Sequence, residues 1–340
     1  MMMSVGISGY SAYVPRLRIK KEDYAKAWGS FQAAGVAEKS VMGFDEDVLT
    51  AAAKVSRKAL ESVPLPPGNV TRFAFASTTA PYLEKLLSGT VLVNVGMPNG
   101  AFASDHTTST RAGTEAFISA FEHVKATQGG VAVVAAADAP RASMWDPLEH
   151  PMGAGAAGFV LSSDNLIAEV EGYSSYVMEH FGERFRPTGG DLLQDLSVKK
   201  FFATAFMTCT TKACGALVKK LGAKPEEYAH VVIQQPDAKT PGSVAGKMLF
   251  NDAQMASGLV STNLGDLGAA STPVGLAAAL DSAKVGDRIM VVSYGSGAGS
   301  DAISLKVVSD RKPVPGFKEQ LEKKEYIDYI QYVKLKGALK

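Results

Sequence analysis

Ser109 and Thr110 are candidates for nucleophilic chemistry in this chain. They lie in the run Asp105-His106-Thr107-Thr108-Ser109-Thr110-Arg111-Ala112-Gly113-Thr114, which reads as a turn delivering its last residues to the start of a buried helix. A hydroxyl attacks a carbonyl only when an adjacent base takes its proton. His106, four residues before Thr110, is a candidate for that base. The competing assignment is structural: Ser and Thr at a helix start accept from free backbone N–H groups, and His106 is then a turn or pocket-lining residue. The only cysteines, Cys209 and Cys214, fall five apart on a helical stretch. That spacing suits neither a zinc site nor a redox Cys-x-x-Cys, so two reduced thiols in a cytoplasmic protein are expected.

The elements that must position these residues come from apolar, β-branched runs bounded by turn residues. Strands are expected at Val5–Tyr10, Arg72–Ser77, Thr90–Val95, Gly130–Ala136 and Ala156–Leu161, with helices at Asp47–Ser62 and Arg111–Thr127 between them. The plan then repeats. Strands are expected at Ala168–Tyr173, Val231–Gln234, Arg288–Ser293 and Asp301–Val307, and helices at Leu196–Leu221, Pro241–Phe250 and Thr272–Ala283. A mixed-charge surface helix is read at Phe317–Lys323. In each half a strand leads to a Gly-Ala-Gly turn (Gly153–Gly155 and Gly297–Gly299) and a further strand. Neither turn opens a strand–turn–helix unit, so close backbone approach is the reading rather than phosphate binding. Self-similarity at half the chain length indicates a duplicated domain, with halves at 1–165 and 166–340, the second carrying a C-terminal tail.

Bulk properties narrow the partners. Of 340 residues 46% are hydrophobic, enough for one large core or two fused ones. The 35 Lys plus Arg against 34 Asp plus Glu form no basic stripe or acidic tail, which argues against nucleic acid and anionic membranes. The first residues lack a basic segment before an apolar core, and no apolar run is long enough to span a bilayer.

The order of motifs resembles the thiolase superfamily, and within it the archaeal- and bacterial-type 3-hydroxy-3-methylglutaryl-CoA synthases and their ketoacyl-synthase-III-like relatives. Gly9-Tyr10 with Pro15-Arg16, Asp45-Glu46-Asp47-Val48, Arg111-Ala112-Gly113-Thr114, Asn263-Leu264-Gly265-Asp266, Ser293 through Asp301 and the tail from Tyr326 to Lys334 carry it. The resemblance covers nearly the whole chain. It implies an α/β thiolase fold of duplicated α-β-α-β-α five-layered halves, an active site at their junction, and a homodimer through Thr90–Val95.

It also implies a condensing chemistry whose parts are missing. Thr110 stands at the position of the nucleophilic Cys, Gln234 at that of the catalytic His, and Thr78 at that of the general-base Glu. An alkoxide is far harder to reach than a thiolate, Gln cannot shuttle a proton, and Thr is no base near neutral pH. Asn263 survives as half of an oxyanion site, or as the residue that holds its own turn. Tyr82 and Tyr294 are alternative catalytic side chains, and Glu84 and Asp105 are carboxylates near the implied site. Arg184, Arg186, Lys212 and Lys219, with Lys220, are candidates for the phosphates of CoA. No tightly bound cofactor and no metal are expected, with an acyl-CoA thioester as ligand. The same losses resemble those of the synthase-like subunit of the bacterial phloroglucinol acetyltransferase complex, which sits with a thiolase subunit and a zinc-ribbon/OB-fold subunit. The expectation is therefore a catalytically degenerate subunit of such an assembly. The alternatives are an independent enzyme acting on a C–C bond of a CoA thioester, and a CoA- or acyl-binding module.

Overall fold

The computed structural model describes residues 4–180, 184–196 and 199–339. Its strands are β1 (Gly6–Tyr13), β2 (Leu17–Lys20), β3 (Glu38–Val41), β4 (Val70–Ala76), β5 (Phe102–His106), β6 (Val131–Asp138), β7 (Gly155–Ser162), β8 (Ala168–Val177), β9 (Arg184–Phe185), β10 (Gln194–Asp195), β11 (Tyr228–Ile233), β12 (Arg288–Val292), β13 (Gly299–Val307) and β14 (Glu325–Tyr326). Its helices are α1 (Lys21–Trp28), α2 (Val48–Glu61), α3 (Leu87–Val95), α4 (Ala112–Thr127), α5 (Lys199–Leu221), α6 (Thr240–Ala245), α7 (Asp252–Met255), α8 (Ser261–Leu264), α9 (Ser271–Ser282), α10 (Phe317–Glu322) and α11 (Tyr329–Leu335).

A nine-stranded sheet runs in the order β11-β12-β13-β8-β1-β7-β6-β4-β5. Read outward from its middle, each side has the same plan. β1 pairs antiparallel with β7, β7 antiparallel with β6, and β6 parallel with β4. Correspondingly, β8 pairs antiparallel with β13, β13 antiparallel with β12, and β12 parallel with β11. The two sides meet through a short β1–β8 pairing, where Gly6 and Ile7 face Glu169 and Ala168. A Cβ on Gly6 would fall on the Ala168 carbonyl oxygen, so glycine is what permits the junction.

Burial explains the layering. β6 is buried along its whole length, as its unbroken run Val-Ala-Val-Val-Ala-Ala-Ala-Asp requires for a strand covered on both faces. One face packs on α2 and α3, and the other on the central pair α4 and α9. α5 covers the far face of β11, β12 and β13. The central α9 is buried continuously from Ser271 to Leu280, and its small residues let neighbouring backbones come close on every side. Gly158 plays this part in β7, where an added Cβ would sit 2.7 Å from the Val55 carbonyl oxygen of α2.

Two expectations fail. Thr90–Val95 is not a strand but part of α3, whose buried residues Leu87, Val91, Leu92 and Val95 follow helical spacing. The Leu87 and Ser88 N–H groups donate to the Asp105 carboxylate at 2.8 and 2.7 Å, and Gly96 ends the helix in the left-handed region. The sheet edge is instead β5, parallel to β4, so an edge-to-edge pairing through 90–95 is excluded. The other difference is in 241–250, where α6 stops at Ala245 and tightens into a 3-10 turn at Gly246–Met248. The helix expected from Leu196 is described from Lys199; residues 197 and 198 lie outside the described residues, as does Glu183.

Candidate functional site

α4 enters the molecule's centre through a polar knot. Arg111 pairs with Glu115 and, at 3.4 Å, with Asp301. Thr114 Oγ1 donates to Asp301 Oδ2 at 2.8 Å and lies 2.7 Å from Ser293 Oγ. Burial pushes the Asp301 carboxyl up from its ordinary value, against the pull of Arg111. The Arg-Ala-Gly-Thr motif thus ties the first half to the strand β13 of the second. Directly before it, Thr110 is buried and its Oγ1 donates to the Tyr294 carbonyl at 2.7 Å. Ser109 Oγ accepts from the Arg111 N–H at 3.3 Å, a turn contact at the helix entry. His106 ends β5, with Nε2 3.3 Å from Ser104 Oγ. Burial holds its imidazole below the usual histidine value. Among the described residues no hydrogen bond joins it to Ser109 or Thr110, so His106 is not placed as the base for either hydroxyl.

Thr78 follows β4 and is bound to Asp138, which closes β6. Asp138 is fully buried and accepts from Thr78 Oγ1 at 2.6 Å, Thr78 N at 3.2 Å, Ala269 N at 2.8 Å, Ser77 Oγ at 3.4 Å and Thr79 Oγ1. With its lone pairs so occupied, Asp138 acts as a tether rather than as a free proton acceptor. Gly268, at φ 55, lies against the same carboxylate, and a Cβ there would collide with Oδ2. Sequence reasoning missed Asp138. Its signal is a lone carboxylate ending a strand that is otherwise wholly apolar.

Gln234, after β11, donates from Nε2 to the Gly268 carbonyl at 2.9 Å, while its buried Oε1 has no partner. Gln235 beside it is structural: Oε1 accepts from Val260 N and Ser261 N at 2.9 Å, and Nε2 donates to Gly258 O at 2.7 Å. That fixes the entry to α8, where Asn263 is half-buried and its N–H donates to Val260 O at 3.1 Å. Gln234, Gly268, Asp138 and Thr78 therefore form one connected set at the junction of the halves.

A cavity of about 720 Å³ opens beside them, lined by Thr78, Thr79, Thr107–Thr110, Arg141, Arg184, Arg186 and Lys336 among others. Arg184 pairs with the buried Asp266, and Arg186 donates to the Thr78 carbonyl at 2.6 Å. Gln234, Asn263 and His106 are not among the lining residues. Nor are Lys212 and Lys219, which are exposed on α5, or Lys220, which donates to Tyr173 O at 3.3 Å. Tyr294 is buried against Phe206, ring centroids 4.8 Å apart, while Tyr82 and Glu84 are exposed. Asp105 is spent on capping α3. Burial pushes the Cys214 thiol up to about 12, and Cys209 and Cys214 are not joined in a disulfide. Among the described residues no group of three or more His, Cys, Asp and Glu side chains is placed to hold a metal, and no helix is long and apolar enough to cross a membrane.

Solved structures share this architecture over nearly its full length. The MvaS complex with 3-hydroxy-3-methylglutaryl coenzyme A superposes with a TM-score of 0.85 at 21% identity, over 99% of this chain and 92% of that one. The HMG synthase of the curacin pathway, in complex with holo donor-ACP, gives 0.88 at 18%, over 98% and 88%. An HMG-CoA synthase complexed with CoA gives 0.87 at 17%, over 98% and 90%. The architecture is thus the α/β thiolase-like fold. No family model matches the chain. Curated relatives are closer in sequence. The hydroxymethylglutaryl-CoA synthase of Methanopyrus kandleri is 33% identical over 99% of this chain and 98% of its own length, and that of Thermococcus gammatolerans is 34% identical over 97% and 95%. The chain belongs to the hydroxymethylglutaryl-CoA synthase family.

Proposed function

We propose that this chain is a catalytically degenerate member of its family, a subunit of a multi-subunit acyl-CoA acyltransferase or thiolase assembly that serves as scaffold or pocket modulator. One observation carries the reading. The side chains at the three positions expected to do chemistry are bonded to other parts of the fold: Thr110 to Tyr294 O, Thr78 to Asp138, and Gln234 to Gly268 O. None of the three is a thiol, the partners of Thr110 and Gln234 are backbone carbonyls, and the carboxylate beside Thr78 is occupied by its other donors. An acyl-CoA thioester remains the ligand of choice for the cavity, with Arg184 and Arg186 in its wall as the contacts for anionic groups. A homodimer through the β5 edge is part of the proposal, supported by Phe102, which is 60% exposed there. The division into halves at 165/166, and partner subunits of the thiolase and zinc-ribbon/OB-fold kinds, belong to it as well.

The independent-enzyme reading draws on the hydroxyl-rich cavity, but Thr110 gives its proton to a backbone carbonyl and not to a base. Two measurements decide between the readings. Intact-mass spectrometry after incubation with acetyl-CoA or acetoacetyl-CoA is expected to show no acyl adduct; an acetyl group on Thr110 or Ser109 would overturn the proposal. Co-expression with the neighbouring genes and native mass spectrometry is expected to recover a thiolase-containing complex. A dimer that stays alone and turns over a CoA thioester makes it an enzyme in its own right.

A further inference from the structure

A second cavity of about 900 Å³ adjoins the first, lined by Trp28, Trp145, Tyr329, Ile330, Val333 and Leu339 among others. The two cavities have Arg141, Asp191 and Lys336 in common. Much of the second wall, and Leu335 and Lys336 in the first, come from α11 and the residues after it. We infer that α11 and its tail form a strap across both cavities, and that the strength of its docking is set by a buried cluster in which two lysines share one glutamate.

The cluster joins three parts of the fold. Lys39, on β3, has Nζ 3.6 Å from Glu149 Oε1 and donates to the Glu149 carbonyl at 2.7 Å. Lys336, on the strap, has Nζ 3.6 Å from the same Oε1 and donates to Pro140 O at 3.1 Å. Tyr332 of α11 donates its hydroxyl to Glu149 Oε1, and Ala142 N donates to Oε2 at 2.7 Å. The Lys39 ammonium also sits 4.5 Å from the ring centroids of both Tyr24 and Tyr332. The side chains of Lys39 and Glu149 are 0% exposed and that of Lys336 8%. With every group ionised, the cluster seals one uncompensated positive charge from water.

The groups facing it are Tyr24 from α1, Glu149 and His150 from the turn after β6, Tyr329, Tyr332 and Lys336 from α11, and Arg141, which donates to the Lys336 carbonyl at 3.4 Å. Burial holds His150 below its ordinary value, so it is neutral above pH 7. Burial also lowers both lysines, Lys39 from 10.5 to about 7. Lifting the strap removes Lys336 and Tyr332 and lets water reach Lys39, which then regains its ordinary basicity. The undocked state therefore binds more protons between about pH 7 and 10. Docking tightens as pH rises through that window, by up to about tenfold per pH unit for one proton, and levels off below it. Replacing either lysine leaves a one-to-one pair and removes the dependence. The strap's pH dependence is independent of the ligand that the first cavity takes.

The chain has two tryptophans, Trp28 and Trp145, and both line the second cavity. Trp28 Nε1 donates to the Tyr329 hydroxyl at 2.6 Å, so tryptophan emission reports on the strap. The experiment measures emission and hydrogen-exchange protection of the 329–339 segment in the full chain at pH 7, 8 and 9, corrected for intrinsic exchange, with β6 as internal reference. Wild-type protection is expected to rise several-fold per unit while β6 stays level. Lys39→Met is expected to flatten the slope, and Lys336→Met to do the same from the strap side should the first variant not fold. A level wild-type profile, or a folded lysine variant that keeps the wild-type slope, overturns the inference.

Discussion

Asp138→Ala tests whether the connected set at the junction is held as described. The substitution deletes the acceptor for Ala269 N at 2.8 Å, Thr78 N at 3.2 Å, Thr78 Oγ1 at 2.6 Å and the Thr79 hydroxyl. Hydroxyls rotate to find other partners, and the half-buried Thr78 N–H regains water from the cavity. Ala269 does neither: it is 0% exposed, and a buried N–H left alone costs about 1–3 kcal/mol. Adding the lost contacts of the carboxylate, the expected destabilisation is about 3 kcal/mol. Asp138→Asn keeps the shape but turns an NH2 toward one set of donors, and about 2 kcal/mol is expected. Urea unfolding monitored by circular dichroism measures both, provided the slope of the transition is unchanged. If both variants fall within about 1 kcal/mol of wild type, the carboxylate is not the tether and the account of the junction is wrong.

Thr110→Cys alone is expected to leave condensation undetectable in a coupled CoA-release assay, because Gln234 and Thr78 still supply no proton transfer; robust turnover would show that another base serves the site. Gly6→Ala is expected to cost about 3 kcal/mol or to prevent folding, since its Cβ would strike the Ala168 carbonyl oxygen where the half-sheets meet. Thermal denaturation reads that loss, and a melting temperature equal to wild type would mean that the strands separate there without cost.

Much of the fold is legible in the residues because the central strands are apolar on both faces and leave continuous runs such as Val131–Ala137. The repeat is legible in its two Gly-Ala-Gly turns, though only the first is a close backbone approach: a Cβ on Gly153 would collide with the Leu264 carbonyl oxygen, whereas one on Gly297 would meet open space and one on Gly299 only the Arg111 and Val177 side chains. α3 is hidden because Thr90-Val91-Leu92-Val93 carries β-branched residues typical of strands, while its N-terminal cap comes from Asp105, on another element. β5 is hidden because Phe-Ala-Ser-Asp-His shows no apolar alternation. Asp138, Lys39 and Lys336 are each ordinary in sequence. Their roles exist only where several loops converge, and no local pattern reports that.

The same convergence bears on the proposed loss of condensing chemistry and on whether substitutions could supply it. Thr110 links the first half to Tyr294 of the second, Gln234 holds Gly268, and Asp138 carries the bond from Thr78 across to Ala269. Of the three positions that the resemblance matches to catalytic residues, Thr110 cross-links the halves directly and Thr78 does so through Asp138, while Gln234 braces the second-half turn at Gly268 that meets Asp138. Thr110→Cys weakens a buried hydrogen bond, at about 1 kcal/mol. Gln234→His must fit a ring into a site that is 3% exposed, and Thr78→Glu brings a carboxylate toward Asp138. The combined variant is therefore expected to be less stable than wild type by about 3–5 kcal/mol, even if it gains slow acyl exchange. Urea midpoints of the three single variants and the triple variant measure this, and the changes at Gln234 and Thr78 should depart from additivity because those two sites meet where Gly268 lies against Asp138. A triple variant as stable as wild type would refute the cross-link argument. It would mean that the fold kept these positions free for catalysis and that their replacement has no structural cause.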